Sequence, residues 1–396
     1  MDRLAPRRRA RRRRARHARR RGRVTDRSSL VGKARRIVVK IGSRTLASDP
    51  AVYERMARAI AAHRAARHQI VIVSSGAIAL GLRALGWKTR PKEMAKLQAA
   101  AAAGQSTLMR RYEEAFEKVD TRVAQVLLTH ADLADRARAN NARAALDALL
   151  EADAVPIINE NDTVAVDEIR FGDNDQLAAL VASLVSAELL VLLSDVEGLL
   201  DRAGARVPVV HDVEREALPL VGAAPLVAGR EAVGTGGMGS KLEAARRGTM
   251  AGAAVIIADA RADTTLERVF AGDDVGTLFV PATEALAARK HWIVFTLRPR
   301  GAILVDAGAA NALEARGGSL LAVGVLGVRG GFGAGDAVQI VDPTGREIGR
   351  GLAAIAAIDV ARVAGKRAQE VESVLGRAID AVVHRDDLVV HRRPER

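Results

Sequence analysis

The chain predicts an α/β protein: a three-layer αβα sandwich around a mostly parallel sheet, followed by a small β-barrel. Three observations carry that expectation. Short runs rich in Val and Ile alternate with helical patterns from residue 36 to about residue 280, an order that builds parallel strands with helices on both faces. After Pro281 the texture changes to short strands parted by glycine turns, with the spacing of a compact barrel. At 396 residues, 49% of them hydrophobic, the chain can bury one large core and a second, smaller one.

Each element follows from its own pattern. Strands are expected over 37–41, 69–74, 122–128, 155–159, 189–194 and 253–258, and helices over 51–67, 77–85, 95–117, 138–151, 175–186 and 241–252. Residues 163–170 alternate apolar and polar side chains, like one arm of a hairpin. In the C-terminal part, strands are expected over 301–306, 320–328, 336–341 and 347–353, with residues 286–292 as the joint. The division is an Arg-rich disordered tail (1–34), a catalytic domain (35–282), a linker (283–292) and a barrel domain (293–390).

The net charge of +14 belongs to the tail. Residues 1–36 hold sixteen Arg and one Lys against Asp2 and Asp26, so the remainder is close to neutral. An Arg/Ala segment of this kind cannot form a core. Three readings are a nucleic-acid arm, a nuclear signal and a mitochondrial presequence. The tail has no aromatic to stack on bases, and no apolar face before Leu30. The expectation is GC-rich upstream sequence read through into the protein, with the true start near Val24. The chain has no cysteine, which excludes thiolate metal sites, disulfides and thiol nucleophiles. Its longest apolar run, 177–193, is broken by Ser183, Ser186 and Glu188 and reads as a helix and a buried strand, with no membrane span.

The residues suited to chemistry fall at strand ends, where open α/β sheets bind ligands. Gly234-Thr235-Gly236-Gly237-Met238-Gly239-Ser240-Lys241 runs into a helix. Glycines let the backbone approach an anion, and the free amides and positive dipole end of the helix face it. The order Gly-Ser-Lys departs from the Walker pattern, and a poor strand precedes it, leaving a different phosphate-binding loop or a structural glycine turn. Lys40 sits inside an apolar strand, which is costly unless it is paired or reaches an anion. Ser74-Ser75-Gly76 opens onto the next helix, as a ligand contact or as a plain cap. Asn159-Glu160-Asn161-Asp162 and Gly172-Asp173-Asn174-Asp175 suit the ammonium and carboxylate of a small substrate, though such residues are also ordinary turn formers. Ser194-Asp195 ends a strand where a nucleotide could rest. The eight histidines are scattered and supply neither a metal spacing nor a general base. Lysines, glycine amides and a few acids suit phosphoryl transfer, where positioning and charge stabilisation carry the rate. A carboxylate acceptor is already ionised at neutral pH, which points to an acyl phosphate product.

Taken together, these motifs, with Val38-Val39-Lys40-Ile41-Gly42-Ser43 and the terminal His384-Arg385-Asp386-Asp387, resemble the amino acid kinase superfamily, in the branch with a C-terminal PUA domain. The resemblance spans about residues 35–390. It implies ATP-dependent phosphorylation of the γ-carboxylate of L-glutamate, the first committed step towards proline. By that resemblance Lys40 and Lys241 neutralise the transferring phosphoryl group, and Asp175 holds the two lysines in register. It assigns glutamate to Ser75, Asp162 and Asn174. It assigns the nucleotide to Ser194 and Asp195 with Thr235, Gly236, Gly237, Met238, Gly239, Ser240 and Lys241. Mg²⁺ would bridge the ATP phosphates with few direct protein ligands. Such enzymes are cytoplasmic homo-oligomers, dimers or tetramers, that proline inhibits at or beside the glutamate site. Leu200 and the sequence after it depart from the family's Gly-Leu-Tyr and Asp-Pro turn, which bears on the adenine side. Ser43 stands where threonine is common.

Two rival readings remain at this stage. One keeps the superfamily and changes the acceptor to N-acetylglutamate, aspartate, carbamate or uridylate. The other makes the barrel an RNA-binding module on a vestigial kinase domain. Against it stand a barrel that is not strongly basic, its scarcity of aromatics, and the intact Lys40, Asp175 and Lys241 set.

Overall fold

The computed structural model describes residues 27–165, 174–221, 237–282 and 288–390. Among these residues the first domain is built on an eight-stranded sheet in the order β3-β4-β2-β1-β5-β7-β8-β6. The strands are β1 (Arg36–Ile41), β2 (Gln69–Val73), β3 (Arg122–Leu128), β4 (Ala154–Glu160), β5 (Leu189–Ser194), β6 (Val209–Val210), β7 (Ala254–Asp259) and β8 (Thr277–Phe279). Every pairing is parallel except β7 with β8. The six expected strands lie within one residue of their anticipated ends. β6 and β8 were not anticipated, because two or three residues show no periodicity.

Alternation along β1 explains the layers. Ile37, Val39 and Ile41 belong to the core on one face of the sheet, and Val38 to the core on the other, as the two-residue period of a strand requires. Labelling the helices of eight residues or more in chain order, the first domain contains α1 (Val52–Arg64), α2 (Ala77–Ala84), α3 (Met94–Glu117), α4 (Arg136–Glu151), α5 (Asn174–Leu184) and α6 (Met238–Met250). Tyr53, Met56 and Ile60 of α1 and Leu108, Tyr112 and Phe116 of α3 fill the first core. Leu177 to Val181 of α5 and Leu242, Ala244 and Ala245 of α6 fill the second.

Helices α2 and α3 touch through their backbones. A Cβ added at Gly104 would overlap the Ala77 carbonyl oxygen and approach Gly81 N at 2.5 Å, and one at Gly81 would overlap the Ala100 carbonyl. Gly104→Ala is therefore expected to destabilise the domain by about 1–3 kcal/mol, overpacking outweighing alanine's better helix propensity. A urea titration checks it; an unchanged midpoint would show that the helices can part without cost.

The C-terminal domain is a five-stranded sheet in the order β10-β9-β11-β12-β13, from β9 (Gly301–Val305), β10 (Val325–Gly330), β11 (Ala337–Val341), β12 (Glu347–Leu352) and β13 (Leu388–Val390). It also holds α8 (Ala307–Arg316) and α9 (Ala368–Leu375), which the strand-and-turn reading missed. Alanine-rich α8 shows no apolar stripe in sequence. The joint is not a slack linker: α7 (Ala288–Phe295) is helical, and its Val294 and Phe295 are buried in the same core cluster as α5 and α6.

The tail was expected to run to residue 34, but its last residues from Arg27 onward are folded. Arg27–Lys33 is helical and Val31 is fully buried. The Arg27 guanidinium donates to the carbonyl oxygens of Pro208 (2.8 Å), Asp273 (3.0 Å), Val275 and Gly276 (3.3 Å). A basic residue inside a basic run carries no sequence mark of such a role. The hairpin arm expected over 163–170 lies mostly outside the described residues.

Candidate active site

The sheet brings the strand-end residues to one edge. Lys40 follows Val38 on the face that α5 and α6 cover, between Val73 of β2 and Leu192 of β5. Its ammonium lies 2.5 Å from Asp175 Oδ1. Asp175 is in the first turn of α5 and 1% exposed. Lys241, in the first turn of α6, places its Nζ 3.1 Å from Asp175 Oδ2. Lys40 and Lys241 are themselves 6% and 5% exposed. Burial alone would raise the Asp175 carboxyl, but the two lysines hold it below the ordinary carboxylate range. It is therefore ionised at neutral pH.

A second cluster lies beside this triad. The Asn174 Nδ2 donates to Ser74 O (2.5 Å), Ser75 Oγ (2.9 Å) and Asn159 Oδ1 (3.0 Å). Asn159 in turn donates to Gln105 Oε1 at 2.9 Å, and the Ser74 and Tyr112 hydroxyls hydrogen-bond to each other at 2.9 Å. Gly76, at φ 95°, occupies the left-handed region that lets β2 turn sharply into α2 just after Ser75. Asp162 follows β4. Burial, reinforced by Glu160 and partly offset by Arg90, pushes its carboxyl up to about 7. Asn159 belongs to the Asn159-Glu160-Asn161-Asp162 run, whereas Gln105 and Tyr112 carry little mark in the sequence. Their trace is a polar break, Gly104-Gln105-Ser106, in an alanine-rich helix.

The third cluster ends β5. Ser194 Oγ donates to Asp195 Oδ1 at 3.2 Å, and Arg44, another residue the sequence did not flag, pairs with Asp195 Oδ2 at 2.8 Å. Burial opposes ionisation of Asp195, yet its hydrogen bonds, that from Arg44 foremost, hold the carboxyl low. In the glycine loop, Thr235 and Gly236 lie outside the described residues. Gly237 caps α6, and Met238, Gly239, Ser240 and Lys241 form its first turn. Among the described residues, a Cβ at Gly237 or Gly239 would meet no atom within 4 Å.

Two buried cations share one carboxylate at a helix N-terminus, beside a polar pocket at the ends of parallel strands, an arrangement of the kind that phosphoryl transfer uses. The amino acid kinase family matches residues 35–259, and the PUA domain matches residues 301–375. The chain is 46% identical over 373 residues to a glutamate 5-kinase of Citrifermentans bemidjiense, covering 92% of this chain and all of that one. It is 46% identical over 376 residues to that of Geobacter sulfurreducens (92% and 100% covered). To that of Thioalkalivibrio sulfidiphilus it is 45% identical over 379 residues (93% and 100%). The chain belongs to the amino acid kinase family and, within it, to the glutamate 5-kinases.

Proposed function

We propose that this enzyme transfers the γ-phosphoryl group of ATP to the γ-carboxylate of L-glutamate, opening the route to proline. The observation that carries the mechanism is the buried Lys40–Asp175–Lys241 triad. Asp175 fixes both ammonium groups, so they stand ready to neutralise charge on the phosphoryl group as it moves, without reorganisation at that moment. The acceptor is an ionised carboxylate, so no general base need be supplied. Ser75 and Asn174 hold the glutamate and Asp162 takes its ammonium. Ser194, Asp195 and the loop from Thr235 to Lys241 hold the nucleotide. Among the described residues no cluster of three acidic or histidine side chains is placed to cage a metal, and both Asp175 oxygens face lysines. This donor set fits Mg²⁺ carried by the nucleotide's own phosphates, where it would offset their charge. The reading extends to a cytoplasmic homo-oligomer inhibited by proline at or beside the glutamate pocket. Among the described residues no helix is long and apolar enough to cross a membrane.

The direct test supplies ATP, Mg²⁺ and hydroxylamine with glutamate, aspartate or N-acetylglutamate in turn. Hydroxamate is expected with glutamate alone, because an acyl phosphate is trapped as it forms; equal yields from the others would move the acceptor assignment.

Asp162 gives this reading a pH signature. Below about pH 7 its carboxyl is protonated in the free enzyme and must ionise to meet an ammonium. KM for glutamate should therefore rise about tenfold per pH unit below that value. The KM for ATP should stay nearly level, and Asp162→Asn should flatten the glutamate profile. In the ligand-free protein the sign for stability is opposite. The raised value means the native state keeps a proton that the unfolded chain has lost, so this group's contribution declines as pH rises from about 4 to about 7. A glutamate KM independent of pH would remove Asp162 from the pocket.

A further inference from the structure

The carboxyl edge of the sheet carries another cation close to Lys40. β1 ends at Ile41, and the Gly42 amide donates to Leu193 O at 3.2 Å, which pins the turn against β5 just ahead of Ser194 and Asp195. The same turn passes over the triad: a Cβ built on Gly42 would stand 4.0 Å from Lys40 Nζ. The chain then enters the short helix Ser43–Ser48, which buries Thr45 and Leu46 and leaves Arg44 exposed. From there the Arg44 guanidinium reaches Asp195 Oδ2 at 2.8 Å.

Two features mark this ion pair as exchangeable. The Arg44 and Asp195 side chains are 55% and 38% exposed, and a pair so open to water contributes little to stability. The charge along the edge is also incomplete for a nucleotide. Lys40, Lys241 and Asp175 sum to a single positive charge, whereas a magnesium-bound triphosphate is still dianionic, and matching that charge is what phosphoryl transfer asks of a protein.

The neighbouring charges single out Arg44. Asp259 and Arg261 stand close enough to Asp195 to feel its charge, and Glu197 acts on Arg261. Asp259 lies beside Ser194 in register, and Arg261 Nε donates to both its oxygens, at 2.9 and 3.0 Å, so these two satisfy each other within one strand end. Glu197 is exposed and only adds negative charge. The strands run β1, β5, β7 across the sheet, which puts Arg44 on the Lys40 side and Arg261 on the far side. We propose that Arg44 is a phosphate-binding residue of the nucleotide site, exchanging Asp195, its partner in this structure, for the phosphate chain of the bound nucleotide. The planar guanidinium fork fits phosphate oxygens as well as carboxylate oxygens, and Asp195 keeps the Ser194 hydroxyl at 3.2 Å when Arg44 leaves. This assignment rests on the nucleotide reading above and adds to it the cation that the triad lacks.

The test measures binding of ADP and of inorganic triphosphate, the phosphate chain alone, to the full chain by calorimetry without glutamate. Arg44→Ala should weaken both about tenfold, the loss of a charge-assisted hydrogen bond. Arg44→Glu should weaken them further, because the effect follows charge. Arg261→Ala, whose guanidinium is committed to Asp259, should leave both within about twofold. In the hydroxamate assay Arg44→Ala should raise the KM for ATP by about the same tenfold and lower kcat far less, with the KM for glutamate unchanged, as a contact made equally before and during transfer requires. A residue that merely props the turn would instead disturb glutamate and nucleotide alike. Unchanged ADP affinity in Arg44→Ala, Arg44→Glu no weaker than Arg44→Ala, an equal loss from Arg261→Ala, or a matching rise in the glutamate KM would each overturn the assignment. Arg44 is exposed, so its variants should melt with the wild type. A wild-type chain that binds neither ADP nor triphosphate would refute the nucleotide reading itself, which separates that failure from this one.

Discussion

Lys241→Ala is expected to lower kcat by about two to three orders of magnitude or more, the scale seen when a preorganised charge aimed at a transition state is lost. The fold should survive, because Asp175 keeps Lys40 as a partner at 2.5 Å. KM for glutamate should change little, since Asn174 and Ser75 keep their own hydrogen bond at 2.9 Å whether or not Lys241 is present. Because kcat and kcat/KM should fall together, the missing interaction belongs to the transition state and not to ground-state binding. Hydroxamate kinetics with a parallel thermal melt check it. A folded Lys241→Ala enzyme turning over at the wild-type rate would end the assignment.

Asp175→Ala should do more damage, and to the fold as well. It would leave two ammonium groups, each about 5% exposed, facing one another without the carboxylate that now joins them. Breaking such a buried pair from one side costs about 3–5 kcal/mol. The penalty has a pH sign. In the variant the lysines would lose protons more readily in the native state than in the unfolded chain, so raising pH from 7 towards 10 should return part of the lost stability. In the wild type the corresponding contribution from Asp175, whose carboxyl is held low, is present above about pH 4 and is lost only as pH falls through its depressed value. Urea titrations at pH 7 and 9.5 separate these cases. A variant equally unstable at both would mean that the cost comes from lost packing and not from uncompensated charge.

What the sequence revealed about the site followed from conflict between residue and setting. A lysine in the apolar strand Val38-Val39-Lys40-Ile41 contradicts its surroundings, and a run of glycines ahead of a lysine contradicts helix propensity, so both stood out. The residues that escaped notice contradict nothing locally. Gln105 sits in a helix that tolerates glutamine, and acquires its meaning from Asn159, which α3 meets only in the folded sheet. Arg44 is one arginine among many until β5 brings Asp195 to it. The same logic separates the strands. β2 and β5 are buried on both faces and read as nearly continuous apolar runs, as does β1 apart from Lys40, whereas β6 and β8 are too short to show a period; β8 pairs with the edge of β7, and β6 with β8. The helicity and burial of α7 depend on contacts that α5, α6 and β13 supply, which no local pattern announces.

The Arg27 anchor has a practical corollary. Its guanidinium bridges main-chain oxygens from two distant loops, near Pro208 and near Gly276, so it works as a clasp at the far end of the sheet. A shortened version that keeps Arg27 keeps this clasp. A version beginning after Arg27 would strip those oxygens of their donor and loosen the β6–β8 corner that they close.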